Sequence, residues 1–300
     1  MKRALQSYHI WAFAAAFSWS LAYMFTRLAL EQFSPLPLGF LRCLLASIFM
    51  VGAGIFTGMK PPRRKDIKLF LAAGAAGFAI YIPSFNHGFL TVTSATSSVI
   101  ISSAPILTAL LAMIFLGERV GKLQWAAIAV EFCGILVLFL MKGAFTVNSG
   151  ILWLFLSALV LSVYNLMQKE LTGTYSGLET AAYSMMAGAL LLAFFTPQAL
   201  RELKTASAGH IFSLFMLALF PSAIAYAAWS KAFERTRNTA AVSNYMFLVP
   251  LLAGLLGFIA AGERVDLSTV LGGGLILSGL AIFNMGKSAG KGGSNEEKHS

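Results

Sequence analysis

Long apolar stretches alternate with short polar linkers along the whole chain. Each stretch is continuously apolar rather than alternating, and each is close to the ~20 residues that an α-helix needs to cross a bilayer. Lipid tolerates only helices and closed barrels, because every backbone polar group must be satisfied internally. The pattern predicts an all-α membrane protein with ten transmembrane helices. They are placed at about 10–30, 36–57, 67–89, 96–116, 122–141, 150–168, 177–196, 211–233, 240–261 and 267–285.

A repeated motif relates the two halves of the chain. Residues 105–120 and 250–265 both begin with proline and end with Gly-Glu-Arg-Val, and Gly134 and Gly279 keep the same spacing. We interpret the tetrad as a turn that marks the repeat and does not bind substrate. In that turn, glycine ends one helix and the acid lies near the start of the next.

The number of helices in each copy predicts how the two halves are oriented. Each copy holds five predicted helices, an odd number, so the second copy enters the membrane from the opposite side. Inverted repeats of this kind are typical of secondary transporters. We predict the first repeat at 1–145 and the inverted second repeat at 146–286. The polar, glycine-rich segment 287–300 is predicted to be a disordered cytoplasmic tail.

Composition and charge agree with a membrane protein. Hydrophobic residues make up 58% of the chain and charged residues 11%, whereas a soluble domain carries about 25% charged residues. The net charge of +10 does not indicate a nucleic-acid partner, because no basic stripe is interleaved with stacking aromatics. Of the 22 lysines and arginines, 16 fall on one side of the ten-helix arrangement. Cytoplasmic loops carry such an excess, so both termini are predicted to lie inside.

Several short motifs follow one another in a set order. They are Trp19-Ser20, Arg42-Cys-Leu-Leu-Ala46, the Pro…Gly-Glu pairs 105/117–118 and 250/262–263, and the segment 227–233 at the end of helix 8. Over residues 10–285 the chain resembles the drug/metabolite transporter superfamily, and specifically its EamA-type members with two tandem five-helix units. The resemblance implies that helices 1–4 and 6–9 surround a central cavity and that helices 5 and 10 are peripheral. It specifies no substrate, although amino acids and related compounds lead by resemblance.

Two positions depart from that resemblance. Position 20 often holds glycine in such proteins and holds Ser20 here. By register, the second half has Ser184 where the first half has Arg42. The role of Arg42 is therefore not duplicated in the second half.

Polar and aromatic side chains recur at helical spacing inside the apolar segments. Such groups are costly in lipid and usually face the bundle interior or a cavity, and residues three and four apart share a helix face. We predict a substrate cavity with stacking aromatics and neutral hydrogen-bonding groups, suited to a small zwitterionic or aromatic solute. Interhelical packing is the alternative, since Ser and Thr are common at helix contacts. The predicted cavity residues are Trp19, Tyr23, Tyr81, Asn86, Ser98, Ser102, Tyr164, Asn165, Gln168, Tyr226, Trp229 and Asn244.

Prolines and ionisable residues supply further hypotheses. The symmetric pair Pro105 and Pro250 weakens the hydrogen-bond ladders of helices 4 and 9, which suggests gating or, equally, fixed kinks. His87 and Glu131 are the titratable candidates for proton coupling. His87 is ranked first because helix 5, with Glu131, is expected outside the cavity, where a protonated helix contact is an alternative. Arg42 could meet a substrate carboxylate, although carbonyl capping or snorkelling is favoured.

The sequence lacks the constellations that catalysis or metal binding requires. No paired carboxylates, phosphate loop, metal-ligand spacing or ATP-binding segment is present, so no cofactor, metal or enzymatic activity is predicted. The predicted function is secondary transport or export of small organic metabolites by alternating access across the cytoplasmic membrane. A lipid or lipid-linked sugar flippase and a membrane-embedded enzyme are the alternatives. Partners are the solute and membrane lipid, with a homodimer left open.

Overall fold

The computed structural model describes residues 7–92, 94–141, 149–236, 238–261 and 267–296. The chain is all-helical, with ten helices in the described residues. In chain order these are α1 (Tyr8–Leu30), α2 (Pro35–Thr57), α3 (Arg64–Thr91), α4 (Ser94–Ile101 and Ala104–Leu116), α5 (Lys122–Leu140), α6 (Gly150–Leu171), α7 (Gly177–Thr205), α8 (Ala208–Glu234), α9 (Thr239–Ser243, Asn244–Phe247 and Leu248–Ala261) and α10 (Leu267–Glu296).

The first five helices and the last five exchange equivalent contacts. Helix α1 of the first half packs on α8 and α9 of the second half. Its counterpart α6 packs on α3 and α4, which are the counterparts of α8 and α9. Helix α2 packs on its own counterpart α7, and α5 packs mainly on α10. This exchange places the two halves around an approximate two-fold axis and leaves α5 and α10 as a separate pair, so the fold is two inverted five-helix repeats.

Length and surface character fit a bilayer. Six helices, namely α1, α2, α3, α6, α7 and α8, are long and apolar enough to cross a membrane, and shorter apolar segments lie in α4, α9 and α10. Large apolar side chains stand on the outside of the bundle, as with Phe56, which is 91% exposed, and Phe194, which is 87% exposed. In water such a surface would be unfavourable, whereas in lipid it is expected.

Helices α3 and α8 carry π-helical turns at equivalent positions. The turns are Ala75–Ile80 in α3 and Leu219–Ile224 in α8. When the first turn is shifted along the chain by the 145-residue spacing of the repeat, the two ranges coincide to within one residue. Such turns often mark functional sites, because the altered ladder frees backbone groups. In α3 the turn also contains Gly77, where a Cβ would lie 2.3 Å from the Tyr164 ring. The missing side chain therefore lets a large ring from α6 enter the centre.

The two predicted gating prolines lie directly after breaks in regular helix. Helix α4 is interrupted at residues 102–103, and Pro105 is the second residue of its second segment. Helix α9 passes through a 3-10 segment, Asn244–Phe247, just before Pro250. Proline lacks the N–H that would continue the ladder, which explains both breaks. Their movement in gating stays a prediction.

Glycines bring α5 and α10 close together in a symmetric way. A Cβ at Gly134 would lie 2.9 Å from Ile276 Cγ1, and one at Gly279 would lie 2.3 Å from Glu131 Cγ. Glu131 and Ile276 occupy equivalent positions of the two repeats. Each glycine therefore accommodates the partner helix at the same place in its own repeat.

Cross-repeat hydrogen bonds tie both ends of the bundle. At the end that holds loop 58–63, called the basic end below, Glu179 Oε1 accepts from the Lys60 backbone N–H at 3.0 Å. At the opposite end, Glu202 accepts from the Ser34 backbone N–H at 2.9 Å and from its hydroxyl at 2.6 Å. In both cases the start of α7 or α2 is joined to a segment of the other half.

The Gly-Glu-Arg-Val turn has a second role that its sequence does not reveal. Gly117 ends α4 in the left-handed conformation, with φ of +63°, as the turn interpretation predicts. Glu118, however, accepts the Thr239 backbone N–H at 3.0 and 2.8 Å and the Thr239 hydroxyl at 2.5 Å. It therefore caps the first residue of α9 in the other repeat rather than the next helix. The second tetrad, 262–265, lies outside the described residues.

Two helix ends differ from the apolar pattern. Helix α7 continues through a 3-10 turn into Thr196–Thr205, where a loop was expected, because Pro197 can start a new helical segment. Helix α10 extends to Glu296, which overlaps the segment 287–300. The disorder of that tail and the repeat boundary near residue 145 stay predictions.

Candidate functional site

A small cavity lies between the two repeats, near the middle of the bundle. Its volume is about 40 Å³, which is room for only a few water molecules. The cavity is too small for an amino acid unless its walls move, and we call it the contracted cavity below. It is lined by Trp19, Ala22, Tyr23, Arg42, Tyr81, Phe85, Ile101, Ser102, Leu161, Met246 and Val249.

Aromatic rings from both halves meet at the cavity. The Trp19 ring lies 5.3 Å from the Tyr226 ring and 4.8 Å from the Trp229 ring, both edge-on. Tyr164 continues the cluster at 5.8 Å from Tyr226. Edge-to-face geometry at these centroid distances is favourable for aromatic pairs. Of the six aromatics predicted for the cavity, the structure puts Trp19, Tyr23 and Tyr81 on its wall, with Tyr164, Tyr226 and Trp229 packed behind Trp19.

Arg42 is the charged residue of the cavity wall. Its side chain is only 4% exposed, and it lies on α2 opposite the π-helical turn of α8. Nε donates to Ser222 Oγ at 2.5 Å, and Nη2 donates to the Pro221 carbonyl at 3.3 Å. The residue thus caps a carbonyl, as the sequence favoured, but it does so at the centre of the molecule rather than by snorkelling.

A fully buried layer of polar side chains lies between the cavity and the basic end. Trp229 Nε1 donates to Asn165 Oδ1 at 2.9 Å, and Asn165 Nδ2 donates to Thr108 Oγ1 at 3.1 Å. Ser230 Oγ donates to Gln168 Oε1 at 2.6 Å, and Gln168 Nε2 donates to the Tyr164 hydroxyl. Because the exposed fraction of each side chain is zero, the layer excludes water. We call these six residues, Thr108, Tyr164, Asn165, Gln168, Trp229 and Ser230, the closed layer.

The other predicted cavity residues lie elsewhere. Ser102 is on the cavity wall and donates to the Ser98 carbonyl at 2.7 Å, and Ser98 is buried beside it in α4. Asn86 Nδ2 donates to the Pro35 carbonyl at 3.0 Å, which places it in the contact of α3 with the start of α2. Asn244 points to α5 rather than to the cavity.

Asn244 and Glu131 form an incomplete pair between α9 and α5. Asn244 Nδ2 donates to Glu131 Oε1 at 2.7 Å, and both side chains are at most 1% exposed. Glu131 Oε2 and Asn244 Oδ1 have no hydrogen-bond partner. Both are acceptors when the acid is ionised, so a proton on Oε2 would supply the missing donor.

His87 lies in a different helix contact. Its ring stacks on Trp153 at 5.2 Å with an interplanar angle of 23°, in the contact of α3 with α6. It is not among the residues that line the cavity. The structure therefore brings neither titratable candidate to the cavity wall, but it gives Glu131 the more distinctive surroundings.

Arg42 and six apolar residues of the wall were not among the predicted cavity residues. An intramembrane arginine was the available signal, since charged residues in spans usually have a function. Phe85, Leu161, Met246 and Val249 carry no such signal, because a cavity-lining apolar side chain and a packed one look alike in sequence. Thr108 and Ser230 of the closed layer were not predicted either, because their partners, Asn165 and Gln168, lie 57 and 62 residues away along the chain.

A larger groove of about 610 Å³ lies at the basic end. Its wall includes Trp11, Met59, Glu179 and Lys231, and Lys231 is paired with Glu234 at 2.5 Å. It lies toward the ends of α1 and α8, on the far side of the closed layer from Arg42. Size alone does not make it the substrate site, because the rings and the cation converge on the smaller cavity.

Comparison with known proteins adds the family. The model of the EamA-like transporter family matches residues 6–140 and 148–285. A protein named as a probable terminal-alkyne amino-acid exporter of Streptantibioticus cattleyicolor is 30% identical over 276 residues, covering 92% of this chain and 93% of the relative. The uncharacterized inner membrane transporter YedA of Escherichia coli K12 is 25% identical, covering 92% of this chain and 90% of YedA. One crystal structure matches with a TM-score of 0.74 at 19% identity, covering 91% of this chain and 94% of that chain, which supports the fold.

Proposed function

Because this chain belongs to the EamA-like transporter family, we propose that it is a secondary carrier that exports small organic metabolites, with amino acids and related compounds first. The family consists of transporters, not enzymes, and the chain is a multi-pass membrane protein. The observation that carries the proposal is the contracted cavity at the interface of the inverted repeats, with the closed layer on its basic side. Alternating access requires a central site that is sealed from one side at a time.

The chemistry of the cavity supports a small solute with an apolar part. Ring faces of Trp19, Tyr23 and Tyr81 offer stacking and cation–π contacts, and Arg42 offers charge-assisted donors. The name of the Streptantibioticus relative, an amino-acid exporter at 30% identity, supports amino acids and related compounds. A polyanion is disfavoured, because Arg42 is the single cation among the described residues that line the cavity.

Localisation in the cytoplasmic membrane with both termini inside is part of the proposal. The excess of lysine and arginine on the basic side supports this orientation, as does the designation of YedA as an inner membrane transporter. Reporter fusions should place 58–66 and 286–300 inside and 142–149 and 197–210 outside. A C-terminus outside the cell would contradict the orientation. The homodimer stays a prediction.

For energy coupling, the geometry favours Glu131 over His87, the reverse of the order from sequence. Glu131 Oε2 is buried and accepts no hydrogen bond. The Oδ1 of its partner Asn244 is also buried and accepts none. One proton would complete the pair. His87 instead stacks on Trp153, an exposed residue of α6, and does not line the cavity.

Transport assays on the purified protein test the proposal. Proteoliposomes are loaded with labelled amino acids, and efflux is measured with and without a pH gradient. We expect saturable efflux of at least one amino acid with an apolar side chain. Movement of fluorescent lipid between leaflets without any amino-acid flux would support the flippase alternative and overturn the proposal.

A further inference from the structure

Arg42 is a buried cation for which the described part of the chain supplies no anion. Its two hydrogen-bond partners, the Ser222 hydroxyl and the Pro221 carbonyl, are neutral. No carboxylate in the described residues forms an ion pair with it. A buried charge is strongly disfavoured unless it is paired and hydrogen-bonded.

The π-helical turn of α8 holds the guanidinium in place. Ser222 donates its hydroxyl to the Leu217 carbonyl five residues earlier, at 2.8 Å, so its oxygen lone pair is turned toward Arg42. The Pro221 carbonyl accepts the second bond from Nη2. These contacts use one edge of the guanidinium, and the remaining N–H groups are left for the cavity that Arg42 lines. A planar guanidinium with free N–H groups is the usual partner of a carboxylate.

We propose that Arg42 binds the carboxylate of the transported solute, and that the carrier therefore selects monocarboxylates with an apolar side chain, amino acids included, over the corresponding amines and amides. This inference rests on the proposed function, because it requires the central cavity to be the transport site. Trp19, Tyr23 and Tyr81 then surround the apolar part of the solute. Ser222 is a positioning residue, since it acts through Arg42.

The second repeat cannot supply an equivalent contact. Its equivalent of Arg42 is Ser184, whose side chain is fully buried and whose hydroxyl has no partner. The site is therefore charged on one side only. A single carboxylate is accepted, and the solute binds in one orientation although the surrounding fold is nearly symmetric.

Binding is measured separately from transport, through the intrinsic fluorescence of purified protein in detergent, since Trp19 lies on the cavity wall. The probes are L-leucine and L-phenylalanine, each against its amide, which keeps the ammonium and the side chain but lacks the carboxylate. For the native chain we expect each acid to bind at least tenfold more tightly than its amide. In Arg42→Gln we expect acid binding to weaken by about 10- to 100-fold, the value of a charge-assisted hydrogen bond, with little change for the amides.

Three further variants keep the inference falsifiable. Arg42→Lys keeps the charge without the planar fork and should restore part of the acid preference. Ser222→Ala should reduce it. Arg201→Gln removes an exposed cation at the end of the bundle opposite the basic end and should change nothing.

The outcomes separate the inference from the proposed function. The role of Arg42 is overturned if a folded Arg42→Gln protein keeps the acid preference of the native chain. It is also overturned if Arg201→Gln loses as much of that preference as Arg42→Gln does. In both cases amino-acid transport stands. Efflux by the native chain of amines and amides but of no carboxylate overturns both the role of Arg42 and the preference for amino acids, while export of small organic metabolites stands. Folding is checked by size exclusion and by the thermal unfolding midpoint of each variant.

Discussion

Equivalent positions in the two repeats hold different side chains. Those of the second repeat form the hydrogen bonds of the closed layer, whereas their counterparts in the first repeat form fewer hydrogen bonds and include Tyr23, which borders the cavity. Asn165 of α6 corresponds to Tyr23 of α1, and Trp229 of α8 corresponds to Ser84 of α3. In the second half, the Trp229 indole reaches Asn165 at 2.9 Å and the layer is closed. In the first half, Tyr23 packs edge-on against Phe85 at 5.9 Å and borders the cavity.

The difference indicates how a nearly symmetric fold obtains an asymmetric state. Alternating access exchanges the conformations of two inverted repeats around a fixed site, so identical layers would give two states of equal energy. The closed layer adds buried hydrogen bonds to one of them, and each such bond contributes about 1 kcal/mol net. We infer that the closed layer favours the state that is sealed toward the basic end.

The largest effect is expected when the closed layer is broken. Trp229→Phe removes the indole N–H and leaves Asn165 Oδ1 buried without a donor, at a cost of about 1–3 kcal/mol. The state sealed toward the basic end should lose population by about tenfold or more, and efflux should fall. A cysteine at Ala232, a fully buried position on α8, reports the opening through its reaction rate with a water-soluble maleimide, with Cys43 and Cys133 replaced.

Trp153→Phe is the matched control for that variant. Trp153 is 44% exposed and stacks on His87, outside the closed layer. Its substitution should leave the labelling rate unchanged. Equal labelling in Trp229→Phe and the native chain would show that the closed layer does not hold the basic end shut.

The second prediction concerns the close glycine contacts that both repeats share between α5 and α10. In Gly279→Ala, the new Cβ would lie 2.3 Å from Glu131 Cγ and 2.9 Å from the Ala127 carbonyl, so α5 and α10 must separate. Overpacking of this kind destabilises by about 1–3 kcal/mol. The thermal unfolding midpoint in detergent should fall.

A second glycine of α10 gives the control. Gly274 has nothing within 4 Å of a built Cβ, and Gly274→Ala should be neutral or slightly stabilising because alanine favours helix by up to about 1 kcal/mol. Equal midpoints for the two variants would contradict the close packing of α5 on α10.

Local pattern was sufficient for the helices and the repeat but not for the contacts between them. Apolar run length predicted ten helices, and the offset between the two Gly-Glu-Arg-Val tetrads identified Gly134 and Gly279 as equivalent positions of the two repeats. The partner of Arg42 could not be predicted, because it depends on a π-helical turn about 180 residues away. Likewise, the turn at Glu118 looked complete within its own loop, and nothing nearby indicates that its carboxylate reaches Thr239.

The third prediction sharpens the difference between Glu131 and its equivalent, Ile276. Glu131→Gln keeps the size of the side chain and gives Asn244 Oδ1 a permanent donor, so it imitates the protonated acid. We expect flux driven by a pH gradient to fall several-fold while exchange of unlabelled for labelled solute is retained. His87→Gln should retain gradient-driven flux, since His87 lies against Trp153. Loss in His87→Gln together with retention in Glu131→Gln would restore the order expected from sequence.

The smallest effect is expected at the contact of the Glu118 carboxylate with Thr239 at the start of α9, which we call the latch. The Glu118 carboxylate accepts the first N–H of that helix, where the helix dipole favours negative charge by about 0.3–1 kcal/mol. Glu118→Gln keeps an acceptor but removes the charge, so the basic end should open slightly more often. Labelling of the cysteine at Ala232 should accelerate by about two- to fivefold, less than in Trp229→Phe, because the closed layer remains intact behind the latch.

Glu170→Gln removes an exposed carboxylate at the same end and should leave the rate unchanged. A rate in Glu118→Gln equal to that of Glu170→Gln would mean that the contact only shapes the turn, whereas a rate above that of Trp229→Phe would make the latch, not the closed layer, the main barrier at the basic end.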